Sequence, residues 1–550
     1  MKNRRGFTLI ELLAVVVILA VIALVATPLI LGIIDDARKG AFKSTAYGIL
    51  EAGKFTYTSA IVKTGEIDST SFKYVDGVET STPSGRKLEY KGEKPKTGTV
   101  VLNNEGQIAL AIHNGSYCAE KNYDDVEITI SQKTTAECKV VFNADESGAP
   151  DPELSSNMIP IKWDGSKWIK ADVNNLSGAK QWYDYDAQQW ANAALVNQTS
   201  RAGYVSAAAG TAVNEADVMA YLVWVPRYKY KLFNVASTAM SAQKIEVVFE
   251  NKTKTKSNGS ANGDYLTHPA FTFGTDELNG FWVGKFETTG NASTPTVKPN
   301  NIALTSQTIS TQFATSKLFN TTTTYGLTAT NDAHMAKNME WGAVAYLSQS
   351  DYGKYGNPIY TGATGLEKDI YVNNVNSHAT ATGPGVTGCA GNTVSAVEVR
   401  GTTCPSGNEY YTNKGIKAST TGNIYGIYDM SGGSWEYVMA AMYNSNNSTI
   451  ILSSSEFTSV IIDSPSMSKY VDKYTYGTLS SDFSRRQLGD ATGEVRGWNA
   501  DIANFMYGPD YSWYIRSGVY DGTTNGGVFL FNAYPGGLSH RFSFRVVVIG

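Results

Sequence analysis

The 550-residue sequence predicts an α+β chain: a long amino-terminal helix with a small antiparallel sheet, then a large, irregular, β-rich domain. Three observations carry that expectation. Phe7 to Ile34 is a 28-residue hydrophobic segment, apolar without a break from Leu12 to Ala26. Short runs that alternate apolar with polar residues follow it, bounded by turn-forming sequences. The remainder is rich in Tyr (33) and Gly (52), and charged residues make up only 17% of the chain, which suits strands and loops better than helices or disorder. At this length one core is not enough, so at least two folded units are expected. A net charge of -4 without basic runs argues against a specific nucleic-acid partner.

The amino-terminal segment is long enough to cross a bilayer, which takes roughly 20 apolar residues. Lys2, Arg4 and Arg5 precede it and hold that end on the cytoplasmic side, while Asp35, Asp36, Arg38 and Lys39 close it. An ordinary secretory signal places its small-residue cleavage site after the apolar run. Here the small residue, Gly6, comes before it, so cutting there leaves the helix on the mature protein. Glu11 stands near the start of the run, where a carboxylate costs about 2.5–3.5 kcal/mol and tends to mark a functional position.

The stretch GFTLIELLAVVVILAVIALVATP resembles the amino terminus of type IV prepilins and pseudopilins. That resemblance implies a leader over residues 1–6 removed by a prepilin peptidase. It further implies methylation of the new terminal Phe7, with Glu11 as the fifth mature residue. Glu11 would pair with the terminal amine of its own or a neighbouring pilin subunit and set the axial register of assembly. The alternative is a signal anchor that tolerates one acid. Pro28 lacks a backbone donor and should kink or locally melt the helix. Beyond the membrane, Ala41, Gly48 and Phe55, and Phe42 and Ile49, recur every seven residues. The helix is therefore expected over 7–58, packed on a small pilin-like head over 59–143. In that head, TVVLNNEGQIALAI reads as a hairpin turning at Asn103-Asn104-Glu105-Gly106, and Val126 to Gln132 reads as an edge strand.

Four cysteines occur in two local pairs, Cys118 with Cys138 and Cys389 with Cys404. Disulfides in an extracellular setting are the simplest reading; metal binding competes, but no CxxC is present and the five His are scattered. Residues 144–157 (ADESGAPDPELSSN) read as a linker. Residues 158–550 read as one large domain with room for an amino-terminal subdomain, since no repeat period appears.

In that domain LVWVPRYKY, NGFWVGKFETT, MEWGAVAYLSQSDYGKYGN, GNIYGIYDMSGGSWEYV, WYIRSG and FSFRVVV occur in an order that resembles the formylglycine-generating, or sulfatase-modifying, family. That family and its relatives have a C-type-lectin-like fold, and the resemblance covers about 223–550. Family enzymes use a cysteine pair near the end of the domain, and no Cys follows Cys404 here, so catalysis is not expected. The resemblance instead implies ligand binding by loops near the carboxyl end. Tyr511, Trp513, Tyr514, Tyr520 and Tyr534 offer rigid contact area there, unless they fill the core. The same resemblance implies a structural Ca2+ at Asp429, Gly432, Ser434 and Glu436, a set of hard oxygens around a glycine turn. The alternative is a capped turn in which Asp429 bonds backbone amides.

Together these readings predict a minor pilin-like subunit, anchored in the membrane before assembly and then at the cell surface or in a pilus. It would act as a tip adhesin for carbohydrate or protein. The alternatives are a pseudopilin of a secretion or DNA-uptake system and, third, a membrane-tethered modifying enzyme.

Overall fold

The computed structural model describes the chain except residues 1–8, 65–69, 83–84, 103–105, 124, 136–137, 139–144, 146, 174, 176–179, 329, 361–368, 378–383, 393–398, 445–448, 451–452 and 520–525. The chain divides into two compact units, Met1–Phe142 and Asn143–Gly550, each with its own apolar core.

In the first unit a single helix, α1, runs from Leu9 to Thr64. It stays helical through Pro28, so the local melting held open there is not seen. One lost backbone bond is outvoted by cooperative propagation on both sides. Its end lies at Thr64 rather than at 58, and Tyr57 and Ala60 pack on the core of the sheet. Large apolar side chains of the first half are exposed on all sides, among them Leu9, Ile18 and Leu24. Among the residues whose side chains are described, no helix is long and apolar enough to cross a membrane.

From Phe42 onward one stripe turns inward: Phe42, Ala46, Ile49 and Leu50 are buried at helical spacing. Phe55, placed on the other seven-residue stripe, is 74% exposed, so that stripe is not a packing face. The partner is a six-stranded antiparallel sheet. Its strands are β1 (Thr70–Val75), β2 (Val78–Thr82), β3 (Thr97–Leu102), β4 (Ile108–His113), β5 (Cys118–Lys121) and β6 (Thr129–Ser131), in the order β2-β1-β3-β4-β5-β6. The β3–β4 hairpin is present, with its 103–105 connection outside the described residues. The expected edge strand shrinks to Thr129–Ser131. A hairpin not expected from sequence joins β1 to β2, where Asp76 and Gly77 both take positive φ (50° and 79°), the backbone a two-residue primed turn needs. Cys118 and Cys138 are bridged. Just past the apolar run, the Tyr117 hydroxyl donates to Asp35, which also pairs with Lys39 at 2.9 Å.

In the second unit the first sheet has seven strands, all antiparallel. It holds β7 (Ile159–Trp163), β8 (Trp168–Lys170), β9 (Asn192–Val196) and β10 (Val218–Pro226), together with Gly280–Gly284, Asp332–Met335 and Val546–Ile549. β10 pairs with β9 on one edge and with Gly280–Gly284 on the other. Residues before 223 thus complete the sheet instead of forming a separate subdomain. A second sheet centres on Trp435–Tyr443, which runs antiparallel to Trp513–Arg516 and parallel to Asp472–Thr475 and Phe542–Phe544. The final residues therefore serve both sheets, and Arg545 is the residue at the crossover. Helix Asn338–Ser348 is buried along its whole length. Cys389 and Cys404 are bridged.

The stretch read as a linker is, from Asp145 on, part of this unit. Trp224 Nε1 donates to Pro150 O at 3.2 Å, and Trp282 Nε1 donates to Glu153 O at 2.7 Å. Asp and Pro lowered its apparent strand content in sequence, but their carbonyls and carboxylates are what the domain binds.

Candidate functional site

The glycine turn of the second unit brings Asp429, Gly432, Ser434 and Glu436 together, as the sequence expectation required, but gives their oxygens protein partners. Asp429, at φ 59°, accepts Gly388 N at 2.9 and 3.1 Å, Asn373 Nδ2 at 2.8 Å and Glu287 N at 3.4 Å. Gly432 O accepts the Ser517 hydroxyl, and Ser434 Oγ accepts Gly385 N at 2.9 Å. Glu436 is held by Arg545, Nε to Oε2 at 3.1 Å and Nη2 to Oε1 at 2.5 Å. The four residues as arranged do not fit a calcium ion, because the guanidinium already supplies the positive charge at Glu436. Burial raises Asp429 above the usual carboxylate range, and it pushes Glu436 up to about 7 against the opposing pull of Arg545.

Sequence reasoning missed Glu287, whose carboxylate accepts Ser434 N at 2.8 Å. Burial raises it well above its ordinary value, and Glu436 and Asp429 raise it further. The pattern KFETT gave no sign of this, since the contact spans 147 residues. Elsewhere among the described residues, the carboxylates of Asp145, Asp184 and Asp186 lie within 4.8 Å of one another and could share an ion.

The five aromatic candidates separate. Trp513 and Tyr514 are fully buried in the strand Trp513–Arg516, because both faces of that strand are covered. Tyr534 is half-buried, 5.5 Å from Trp435 and 4.6 Å from Phe542. Tyr520 lies outside the described residues. Tyr511 alone of the described four is exposed, and it stacks on Tyr507 with ring centres 4.4 Å apart and planes 15° apart. A neighbouring loop adds the exposed Tyr476 and Leu479, joined through Gly508 N to Gly477 O at 2.9 Å. Arg485 clamps both loops, donating to Met506 O at 2.6 Å and Leu479 O at 2.8 Å. The result is a rigid aromatic rim. The spacing Tyr507-x-x-x-Tyr511 around Gly508-Pro509 was the available signal for it.

Gly6 and Phe7 lie outside the described residues; Glu11 lies within α1, its side chain outside them. The family model described as "Prokaryotic N-terminal methylation motif" matches residues 1–27. The chain therefore has a type IV prepilin-like amino terminus, which implies processing by prepilin peptidase and assembly with other pilins. The motif supports a pilin-like or pseudopilin protein and suggests a membrane-anchored, then surface pilus location. No curated protein matches the chain.

Proposed function

We propose that the chain is a minor type IV pilin-like surface subunit whose second unit binds a carbohydrate or protein ligand, most effectively at a pilus tip. The observation that carries this reading is the joining of a prepilin-like helix to a unit of 408 residues (550 minus 142) that presents the clamped rim Tyr507–Tyr511. Stacked tyrosines offer large contact area at low cost in side-chain entropy, and the Gly, Asn and Ser around them give adaptable hydrogen bonds. The order of motifs that resembles the C-type-lectin-like relatives of sulfatase-modifying proteins supports a binding rather than a catalytic role, as does the lack of any Cys after Cys404.

The test has two arms on the full-length protein recovered from cells. Intact mass and amino-terminal analysis should show cleavage after Gly6 and a methylated Phe7. Binding to glycan and host-protein arrays should then be lost at least tenfold in Tyr507→Ala/Tyr511→Ala, with the melting curve unchanged. Equal binding by that variant overturns the rim. Loss of secretion or DNA uptake without any surface binding would favour the pseudopilin reading.

A further inference from the structure

The small sheet of the first unit lies along α1 in a fixed sense. At its far end a Cβ placed on Gly106 would come within 2.8 Å of the Tyr57 ring, and one on Gly53 within 2.7 Å of Ile108. At its near end the Tyr117 hydroxyl donates to Asp35, the first residue after the apolar run. The end of the sheet that carries Tyr117 therefore stands at the level where α1 stops being apolar.

That end is one hydrogen-bonded rim. Gly77 N donates to Lys96 O at 3.0 Å, Lys96 N donates to His113 O at 2.8 Å, and His113 Nε2 lies 2.9 Å from Lys133 O. Asn114 Oδ1 closes the adjoining turn by accepting Ser116 N and Tyr117 N at 3.0 and 2.9 Å, and the Cys118–Cys138 disulfide staples the strand behind it. The rim shows solvent two apolar tips: Val75 and Val78, 52% and 63% exposed, flank the turn at Asp76-Gly77. Its charges nearly balance. Lys39 pairs with Asp35 and Lys133 with Glu120, while the exposed Arg38 and Lys96 stand against the exposed Asp36 and Asp76.

The apolar run leads directly into this rim. Its 28 residues span about 42 Å as a helix, against roughly 30 Å of bilayer hydrocarbon. A surplus of that kind is taken up by tilting. Ile30, Leu31 and Ile33, 54–63% exposed, belong to it. A tilt toward the sheet covers them and lowers the rim onto the headgroups, where valine tips can enter the interface and Arg38 and Lys96 can meet phosphates.

We propose that this rim is a seat for the bilayer surface, so that in the membrane-anchored form the small sheet rests on the headgroups instead of standing free on its stalk. The proposal rests on the reading of Phe7–Ile34 as the membrane anchor, which the amino-terminal motif supports.

Full-length protein, one copy per phosphatidylcholine nanodisc, separates the two claims. A nitroxide is attached at Ile22→Cys in the apolar run, at Ser116→Cys on the rim or at Thr58→Cys at the far end of α1. Its exposure to oxygen and to a water-soluble nickel complex is then measured. The Ile22 label should be open to oxygen and shielded from nickel; free nickel access there overturns the anchor and the seat together. With Ile22 in lipid, the seat predicts that the Ser116 label is at least about threefold less accessible to nickel than the Thr58 label. Equal access at Ser116 and Thr58 overturns the seat and leaves the anchor standing. Val75→Asp/Val78→Asp should raise nickel access at Ser116 to the Thr58 level with the melting curve of the first unit unchanged, and shielding that survives this variant also overturns the seat. Because the rim charges balance, replacing a third of the lipid by phosphatidylglycerol should change access at Ser116 by less than about twofold. A larger change would assign the contact to charge and overturn the role of the valines.

Discussion

The two units invert each other. Along the first half of α1, Leu, Ile and Val side chains stand in the open, with Leu9 86% and Leu24 77% exposed. In the second unit, charges lie inside: Lys285, Arg227, Arg516 and Arg545 are each 0–1% exposed. Apolar surface left outside calls for a partner or a bilayer, because burial of that area is the main favourable term available to it. Charge taken inside must look for its partners within the same chain. Lys285 Nζ meets Asn192 Oδ1, Ile424 O and Gly426 O at 2.7–2.8 Å, and Arg516 meets Asn338 and the carbonyls of 490, 491 and 530. Incompleteness thus belongs to the first unit and closure to the second.

The strongest way to break that contrast is to orphan an interior charge. Arg545→Met leaves Glu436 buried without its guanidinium, and unfolding of the second unit, followed by tryptophan fluorescence in urea, should lose about 3–5 kcal/mol. Removing both members in Arg545→Met/Glu436→Leu should recover much of that loss. Next in size is the reverse experiment, a charge placed on the exposed apolar helix. Ile18→Asp should cost about 2.5–3.5 kcal/mol of membrane insertion and deplete the membrane fraction, while the melting of the second unit stays where it was.

A third, milder effect concerns pH. Burial alone would lower His334, but Glu340 at 3.0 Å and Asp332 at 3.3 Å flank it, and its pKa is raised. A histidine whose folded value is raised contributes stability that is complete below its unfolded value near 6.5 and is lost as pH climbs through the folded value. The second unit should therefore melt lower as pH rises past that window, and His334→Gln should flatten the dependence. An unchanged slope in the variant would show that other groups govern it. The smallest effect sharpens the comparison from outside. Glu51 pairs with Lys54 at 2.8 Å on the open surface of α1, and Glu51→Ala should shift the first unit by less than about 0.5 kcal/mol.

The sequence by itself determined the elements whose signals are local. The apolar run, Gly6 before it and the acid within it could be read directly, because processing and insertion act on contiguous residues. The inward stripe Phe42–Ile49 and the β3–β4 hairpin were legible for the same reason: a period of seven and an Asn/Gly turn are short-range properties. The helix stripe through Phe55 looked equivalent on that basis and is exposed, since period alone does not say which side the sheet will cover.

The tertiary structure decided everything that depends on partners far apart in the chain. Asp429 and Glu436 carried the oxygens a cation would need, yet Arg545, 109 residues from Glu436, takes that place. Trp513 and Tyr514 resembled surface aromatics until the sheet covered both faces of their strand. Residues 145–157 had a linker's composition and became bound chain, because the indoles of Trp224 and Trp282 need acceptors and a proline-rigid segment supplies them at the right spacing. Composition records what a residue can do. Burial and the groups opposite it, assembled only on folding, select which of those capacities is used.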